Sequence, residues 1–253
     1  MRLVLPLVLF LLSAPAGAFD LNDLKAKLND LTQQPSSKTG TSSASGLAQF
    51  TEHDQIESLR QALTQGAQTA VAKLARENGY LGNDKVRIPL PDNLQKADRT
   101  MHRIGLGKYS DDLMTSMNRA AEAAVPEAKN LLIAAVKNMT VTDAKAILLG
   151  QDDAATQYFR RNTETALGEK FKPIITQSMQ KVSLAQSYDR FASKGVQLGL
   201  VDASDANLEN YITRKALDGL FYMMAEQEKE IRAHPLQAAG DLAKKVFSAL
   251  RAQ

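Results

Sequence analysis

Residues 207–231 read NLENYITRKALDGLFYMMAEQEKEI, a helical pattern without proline. Advancing about 100° per residue from Leu208, the residues Ile212, Ala216, Leu217, Leu220, Phe221, Met223 and Met224 cover an arc of roughly 200°. That is about twice the stripe of an ordinary surface helix and predicts a central position, wrapped by other helices. The remaining arc carries Tyr211, Arg214, Lys215, Asp218 and Tyr222, and beyond Met224 the apolar side continues into Glu226 and Glu230. Gly219 costs about 1 kcal/mol relative to Ala in mid-helix, which predicts close approach of another backbone or a ligand.

Working outward, helical spacing recurs along residues 47–253. Thr51-Glu52-His53-Asp54 has the form of a capping box with Asp in place of Glu, and opens a helix carrying Ile56, Leu59, Leu63, Ala67, Ala70, Val71 and Leu74. Gly79 is expected to end it as a left-handed cap. Residues 80–91 alternate Val86, Ile88 and Leu90 before two prolines, an extended connector and the only strand-like stretch. Asp92 is read as the cap of a short helix ending at Gly105 and Gly107, and Ser110 as the cap of the next. Pro126 should break that helix, and Pro173 should kink a later one. Thr142 and Asp152 or Asp153 are read as further caps, residues 193–204 as a glycine-containing loop, and Pro235 as the opening of a final amphipathic helix. No strand alternates with these helices, so the expected fold is all-α, with several short helices packed around a few long ones.

The first 18 residues, MRLVLPLVLFLLSAPAGA, combine a charged start, a short apolar core and small residues at 16–18. They read as a secretory signal peptide cleaved after Ala18, with a core too short to span a bilayer. Residues 19–33 place Leu21, Leu24, Leu28 and Leu31 on one seam of a short helix. Its charges are balanced, unlike the cation-rich face of most membrane-surface helices. Residues 34–46 are a Ser/Thr/Gly-rich linker. These features predict a periplasmic protein without a transmembrane span.

Composition narrows the chemistry. Without Arg2 the chain has 30 basic and 28 acidic residues, a balance that gives no support for nucleic-acid binding. Cysteine is absent, so stability must come from packing. Three scattered histidines, His53, His102 and His234, form no metal-binding or triad spacing, and no metal or cofactor is expected. The sequence GLGK at 105–108 lacks the remainder of a phosphate loop.

Three constellations remain as candidate ligand or partner contacts. Arg119 and Glu122 lie three apart beside Pro126 and Lys129, and read foremost as a surface ion pair worth about 0.3 kcal/mol. Tyr158-Phe159-Arg160-Arg161 places adjacent aromatics in different directions, one inward and one beside a guanidinium suited to carboxylate or phosphate. Lys172 lies in the FKPII turn. The third is the central helix with Tyr211, Lys215, Asp218, Tyr222, Glu226 and Glu230. Its charged end either emerges into solvent or meets Arg160 and Arg161. Emergence is favoured because Glu228, Lys229 and Arg232 make the whole turn charged.

Long stretches of this chain resemble a bacterial family of exported proteins known as domain of unknown function 4197. They are SMNRAAEAAVPEAK (116–129), DDAATQYFRR (152–161), FKPII (171–175), KALDGLFYMMAEQEKEIR (215–232) and IPLPDNL (88–94). The resemblance spans roughly residues 56–247 and implies a helical, exported domain. It implies no activity, cofactor or catalytic residue.

The leading expectation is a non-enzymatic binding or interaction module of the cell envelope. Its ligand would be an apolar chain with an anionic head held between helices, or its partner another envelope protein. A hydrolase or lyase using Glu226 or Glu230 with Arg160 or Tyr158 is the competing expectation, and requires those side chains to share one cleft. A scaffold docking through the leucine helix at 19–33 is the third.

Overall fold

A computed structural model describes residues 50–181, 184–199, 208–234 and 240–251. The signal peptide, leucine helix and linker expected before residue 47 lie outside these, as do Pro235 and residues 200–207. The described residues form nine α-helices and one 3₁₀ turn, without a strand. They are α1 (Glu52–Ala75), α2 (Asp92–Arg103), α3 (Lys108–Ala124), the turn Val125–Glu127, α4 (Ala128–Lys137), α5 (Val141–Leu148), α6 (Ala154–Lys181), α7 (Leu184–Gln197), α8 (Leu208–Ala233) and α9 (Asp241–Arg251). The fold is all-α, as the periodicity predicts.

The helix α8 is the central element. It packs along α6 and against α1, α3 and α9, and buries Ile212, Ala216, Leu217, Leu220, Phe221, Met223 and Met224, the residues of the broad apolar arc. Gly219 faces neither a backbone nor a ligand. A Cβ there would lie 2.7 Å from Cε1 of Tyr80 and 3.3 Å from Cβ of Val86, so the missing side chain makes room for an aromatic ring. Gly219→Ala should therefore destabilise the protein by about 1–2 kcal/mol, despite the helix-propensity gain of about 1 kcal/mol, because the fully buried Tyr80 ring must shift. Urea unfolding checks the sign; a stabilised variant would show that the ring moves freely.

Capping explains most helix starts, with some corrections. Thr51 and Asp54 form the expected box: Oγ1 of Thr51 accepts from the Asp54 amide, and Oδ2 of Asp54 accepts from the Thr51 amide, both at 3.1 Å. A second box, from Thr140 and Asp143, opens α5, so Thr142 is not the cap. Pro91, not Asp92, precedes α2, and Asp92 accepts from Gln95 Nε2 at 2.8 Å. The helix α3 begins at Lys108 behind Gly107, and Ser110 instead donates to the Gly107 carbonyl at 2.8 Å within the first turn. Pro126 breaks the chain as expected, in the turn between α3 and α4. Pro173 does not end its helix: α6 continues through it, flanked by fully buried Phe171 and Ile175. Packing there outweighs the one amide donor that proline lacks. The helix α7 extends to Gln197, further into the expected loop, and Gly199 follows with φ 66°.

Both box aspartates titrate below the usual carboxylate value, chiefly through the threonine hydroxyl and then the threonine amide that they accept from. A depressed folded-state pKa gives stability that is present above the unfolded value, near 3.9, and lost as pH falls through the folded one. The double variant Asp54→Asn/Asp143→Asn should be less stable than the parent at pH 7, and the difference should shrink progressively below pH 4. Urea unfolding across that range tests it.

Candidate functional site

Between α1 and α2 the chain runs as a connector of turns and extended backbone, residues 76–91, laid along α8. Arg76 is extended and Asn78 adopts the left-handed region at φ 63°. The helix α1 thus ends at Ala75, and Gly79 is not its left-handed cap. Glycine is needed at 79 because a Cβ would collide with the Leu74 carbonyl oxygen. Successive turns follow: Gly82 N–H donates to Asn78 O at 3.0 Å, Asn83 N–H to Tyr80 O at 3.1 Å, and Arg87 N–H to Asn83 O at 2.8 Å.

Three buried polar side chains pin this connector. Glu122 on α3 is 5% exposed; its Oε1 accepts from the amides of Tyr80 and Leu81 at 3.0 and 3.2 Å. Its Oε2 accepts from Arg119 Nη1 at 2.6 Å, and Arg119 Nη2 reaches Glu77 and Asn78 at 3.2 and 2.9 Å. The Arg119–Glu122 pair is therefore no surface ion pair. A carboxylate facing inward meets two backbone donors that nothing else satisfies, and burial strengthens each bond. Asn118 brackets Ile88, accepting from its amide at 2.8 Å and donating to its carbonyl at 2.9 Å. Tyr80 donates its hydroxyl to Ala216 O on α8 at 2.7 Å, and burial, then the Glu122 charge, push its pKa well above the ordinary phenol value. Val86, Ile88 and Leu90, the alternating apolar residues, are all buried.

The polar strip of α8 meets the outer part of the same connector. Tyr211 donates to Pro89 O at 3.0 Å. Lys85 Nζ lies 3.0 Å from Glu226 Oε2 and 5.7 Å from the Tyr222 ring centre, contacts that raise the Lys85 pKa, the hydrogen bond to Glu226 most. Asn83 Nδ2 approaches Met223 Sδ at 3.6 Å. Lys215 and Arg214 stand 5.9 and 5.8 Å from the Tyr211 ring.

The other expected contacts go elsewhere. Asp218 pairs with Arg160 at 3.4 Å, and not with Arg214; Arg160 also holds Glu164 at 2.9 Å and lies 4.6 Å from the Phe221 ring. Tyr158 and Phe159 are both buried, edge to face at 5.9 Å, and Tyr158 donates to Ala135 O at 2.9 Å, so neither is exposed beside a guanidinium. Glu230 pairs with His234 and Lys172 with Glu209, at 2.8 and 3.9 Å. Lys129 and Arg161 are exposed. Glu226, Glu230, Arg160 and Tyr158 thus each have a different partner, and no common cleft is built from them. The expected emergence of Glu226 and Glu230 holds: their side chains are 40% and 54% exposed.

Beside the connector, where α1 ends, an open hollow of about 500 Å³ is lined by Lys73, Arg76, Asn78, Asn83, Lys85 and Met223, among others. By contrast, two apolar voids beside Glu228 measure about 20 Å³ each, room for one water and not for an acyl chain. Among the described residues no cluster of three His, Asp or Glu side chains offers a metal site, and no helix is long and apolar enough to cross a membrane.

A family model described as "Protein of unknown function (DUF4197)" matches residues 49–248. The chain belongs to the DUF4197 family. No curated protein and no solved structure matches it. Two of the stretches that carry the resemblance supply the polar anchors of this DUF4197 domain: 116–129 contributes Asn118, Arg119 and Glu122, and 215–232 contributes Gly219, Glu228 and Arg232.

The most consequential residue that the sequence reading passes over is Glu228. It is 8% exposed and caps α6 from α8: Oε1 accepts from the Ala155 amide, and Oε2 from the Thr156 amide and hydroxyl, each at 2.9 Å. Arg232 Nη2 completes the site, 2.9 Å from Glu228 and 2.8 Å from Ile147 O. Neither Asp152 nor Asp153 takes these amides. A carboxylate at a helix N-terminus satisfies orphan amides and complements the dipole. A signal was present: on the wheel started at Leu208, Glu228 falls near 200°, inside the apolar arc, whereas Glu226 and Glu230 fall near its edge.

Proposed function

We propose that this DUF4197 protein is an exported, non-enzymatic binding or interaction module of the cell envelope, with the outer side of the connector as its recognition surface. The observation that carries this is the set of anchors from Glu122, Asn118 and Tyr80, which holds an irregular, solvent-facing segment in one shape. Loops fixed by a rigid scaffold are where proteins commonly place recognition, because a fixed loop loses little further entropy on binding. Export rests on the signal-peptide features of residues 1–18. The separate partners of Glu226, Glu230, Arg160 and Tyr158 favour binding over hydrolysis.

The test has two parts. Fractionation of the native cell should find a chain 18 residues shorter in the periplasm; full-length protein held in the cytoplasm would refute export. A photocrosslinking side chain placed at Arg87 on the connector should give a discrete adduct, and one at the exposed Lys245 on α9 should not. Equal adducts at both positions, or none at Arg87, would count against the connector as the recognition surface.

A further inference from the structure

We infer that the hollow beside the connector is an anion site, taking a carboxylate or phosphate group of a small molecule or partner. This rests on the reading of the connector as a recognition surface. The charges around the hollow are mostly neutralised in pairs: Lys85 by Glu226, Arg87 by Asp84, and Arg119 by Glu122 and Glu77. Lys73 and Arg76 are the exceptions. Both line the hollow, and neither has an acidic partner within 4 Å among the described residues. Lys73 complements the carbonyl end of α1. Arg76 lies beyond the helix, on extended backbone, where that role does not arise.

The remainder of the lining suits an oxyanion. Asn78 and Asn83 bring side-chain amides, each oriented by a second contact: Asn78 Oδ1 accepts from Arg119 and Asn83 Oδ1 from the Lys85 amide at 3.2 Å. Their amide nitrogens are left as the donor ends, that of Asn83 near Met223 Sδ, a weak acceptor. Met223 adds an apolar wall at one side. Guanidinium and ammonium groups beside oriented amides match the planar or tetrahedral oxygens of carboxylate and phosphate. A volume near 500 Å³ exceeds a bare ion and accommodates a group of metabolite size.

The test is an NMR titration of the mature chain with inorganic phosphate and, separately, citrate, at ionic strength held constant with sodium chloride. Saturable shifts should concentrate on the amides of residues 78, 79, 82 and 83. Lys73→Gln/Arg76→Gln should weaken the affinity at least tenfold without altering remote amides, since both residues are exposed, while Lys245→Gln should leave it unchanged. A response to phosphate alone, to citrate alone or to both identifies the accepted oxyanion. Shifts that scatter over the surface, never saturate, or survive the double substitution would overturn the inference. If anions fail while the Arg87 crosslink persists, the anion site falls and the recognition surface stands.

Discussion

Glu228→Ala should lower the unfolding free energy by about 3–5 kcal/mol, the usual cost of removing one partner from a buried ion pair. Three effects combine. The Arg232 side chain, 16% exposed, loses the carboxylate that neutralises it. The amides of Ala155 and Thr156 lose their acceptor at the start of α6, where no side chain of that helix replaces it. The small voids on either side of Glu228 enlarge into one cavity lined by Leu63, Phe159 and Ile231. A domain with a total stability of roughly 5–15 kcal/mol should then be close to unfolding at 37 °C. Urea denaturation should show the loss directly. Glu228→Gln should recover only part of it, because both carboxylate oxygens accept and a glutamine offers one. A loss below about 1 kcal/mol would show that water replaces the carboxylate.

Glu122→Ala should cost about 3 kcal/mol by the same reasoning and change a different property. The amides of Tyr80 and Leu81 and the Arg119 guanidinium lose a shared acceptor, so the connector is released while the helices around α8 keep their packing. Hydrogen exchange should therefore accelerate across residues 79–88 well beyond the increase seen in α6 or α8. Uniform acceleration would mean that Glu122 supports the whole core and not the connector. The same variant should abolish the discrete crosslink at Arg87, which depends on one connector shape.

The two substitutions bear on one structural lesson. Glu122 and Glu228 look like ordinary helix-surface carboxylates in a charged neighbourhood, since Glu122 follows Arg119 and Glu228 is flanked by Glu226, Lys229 and Glu230. Short-range spacing pairs such residues along their own helix. In the folded chain each turns toward backbone amides far away in sequence, Glu122 to residues 80–81 and Glu228 to 155–156. Those donors have no sequence signature, because every residue but proline carries one. The wheel position of Glu228 was the only local hint. The cap at Thr140 was missed in favour of Thr142 for a smaller reason of the same kind, as the two threonines stand two residues apart and only Thr140 has Asp143 three residues on.

The sequence alone determined the helical class, the breadth of the α8 apolar face, the capping box at Thr51, the break at Pro126 and the buried alternation of Val86, Ile88 and Leu90. All of these are local, set by periodicity of 3.6 or 2 residues and by the backbone limits of proline and threonine. Tertiary structure alone decided that Gly219 makes room for the Tyr80 ring, that Arg119 and Glu122 hold a connector, that Glu228 caps α6, and that Lys73 and Arg76 are left unpaired beside a hollow. Each of these depends on which residues distant in sequence meet once the helices pack, and burial then converts an ordinary carboxylate into an anchor by removing the water that would otherwise compete for its hydrogen bonds.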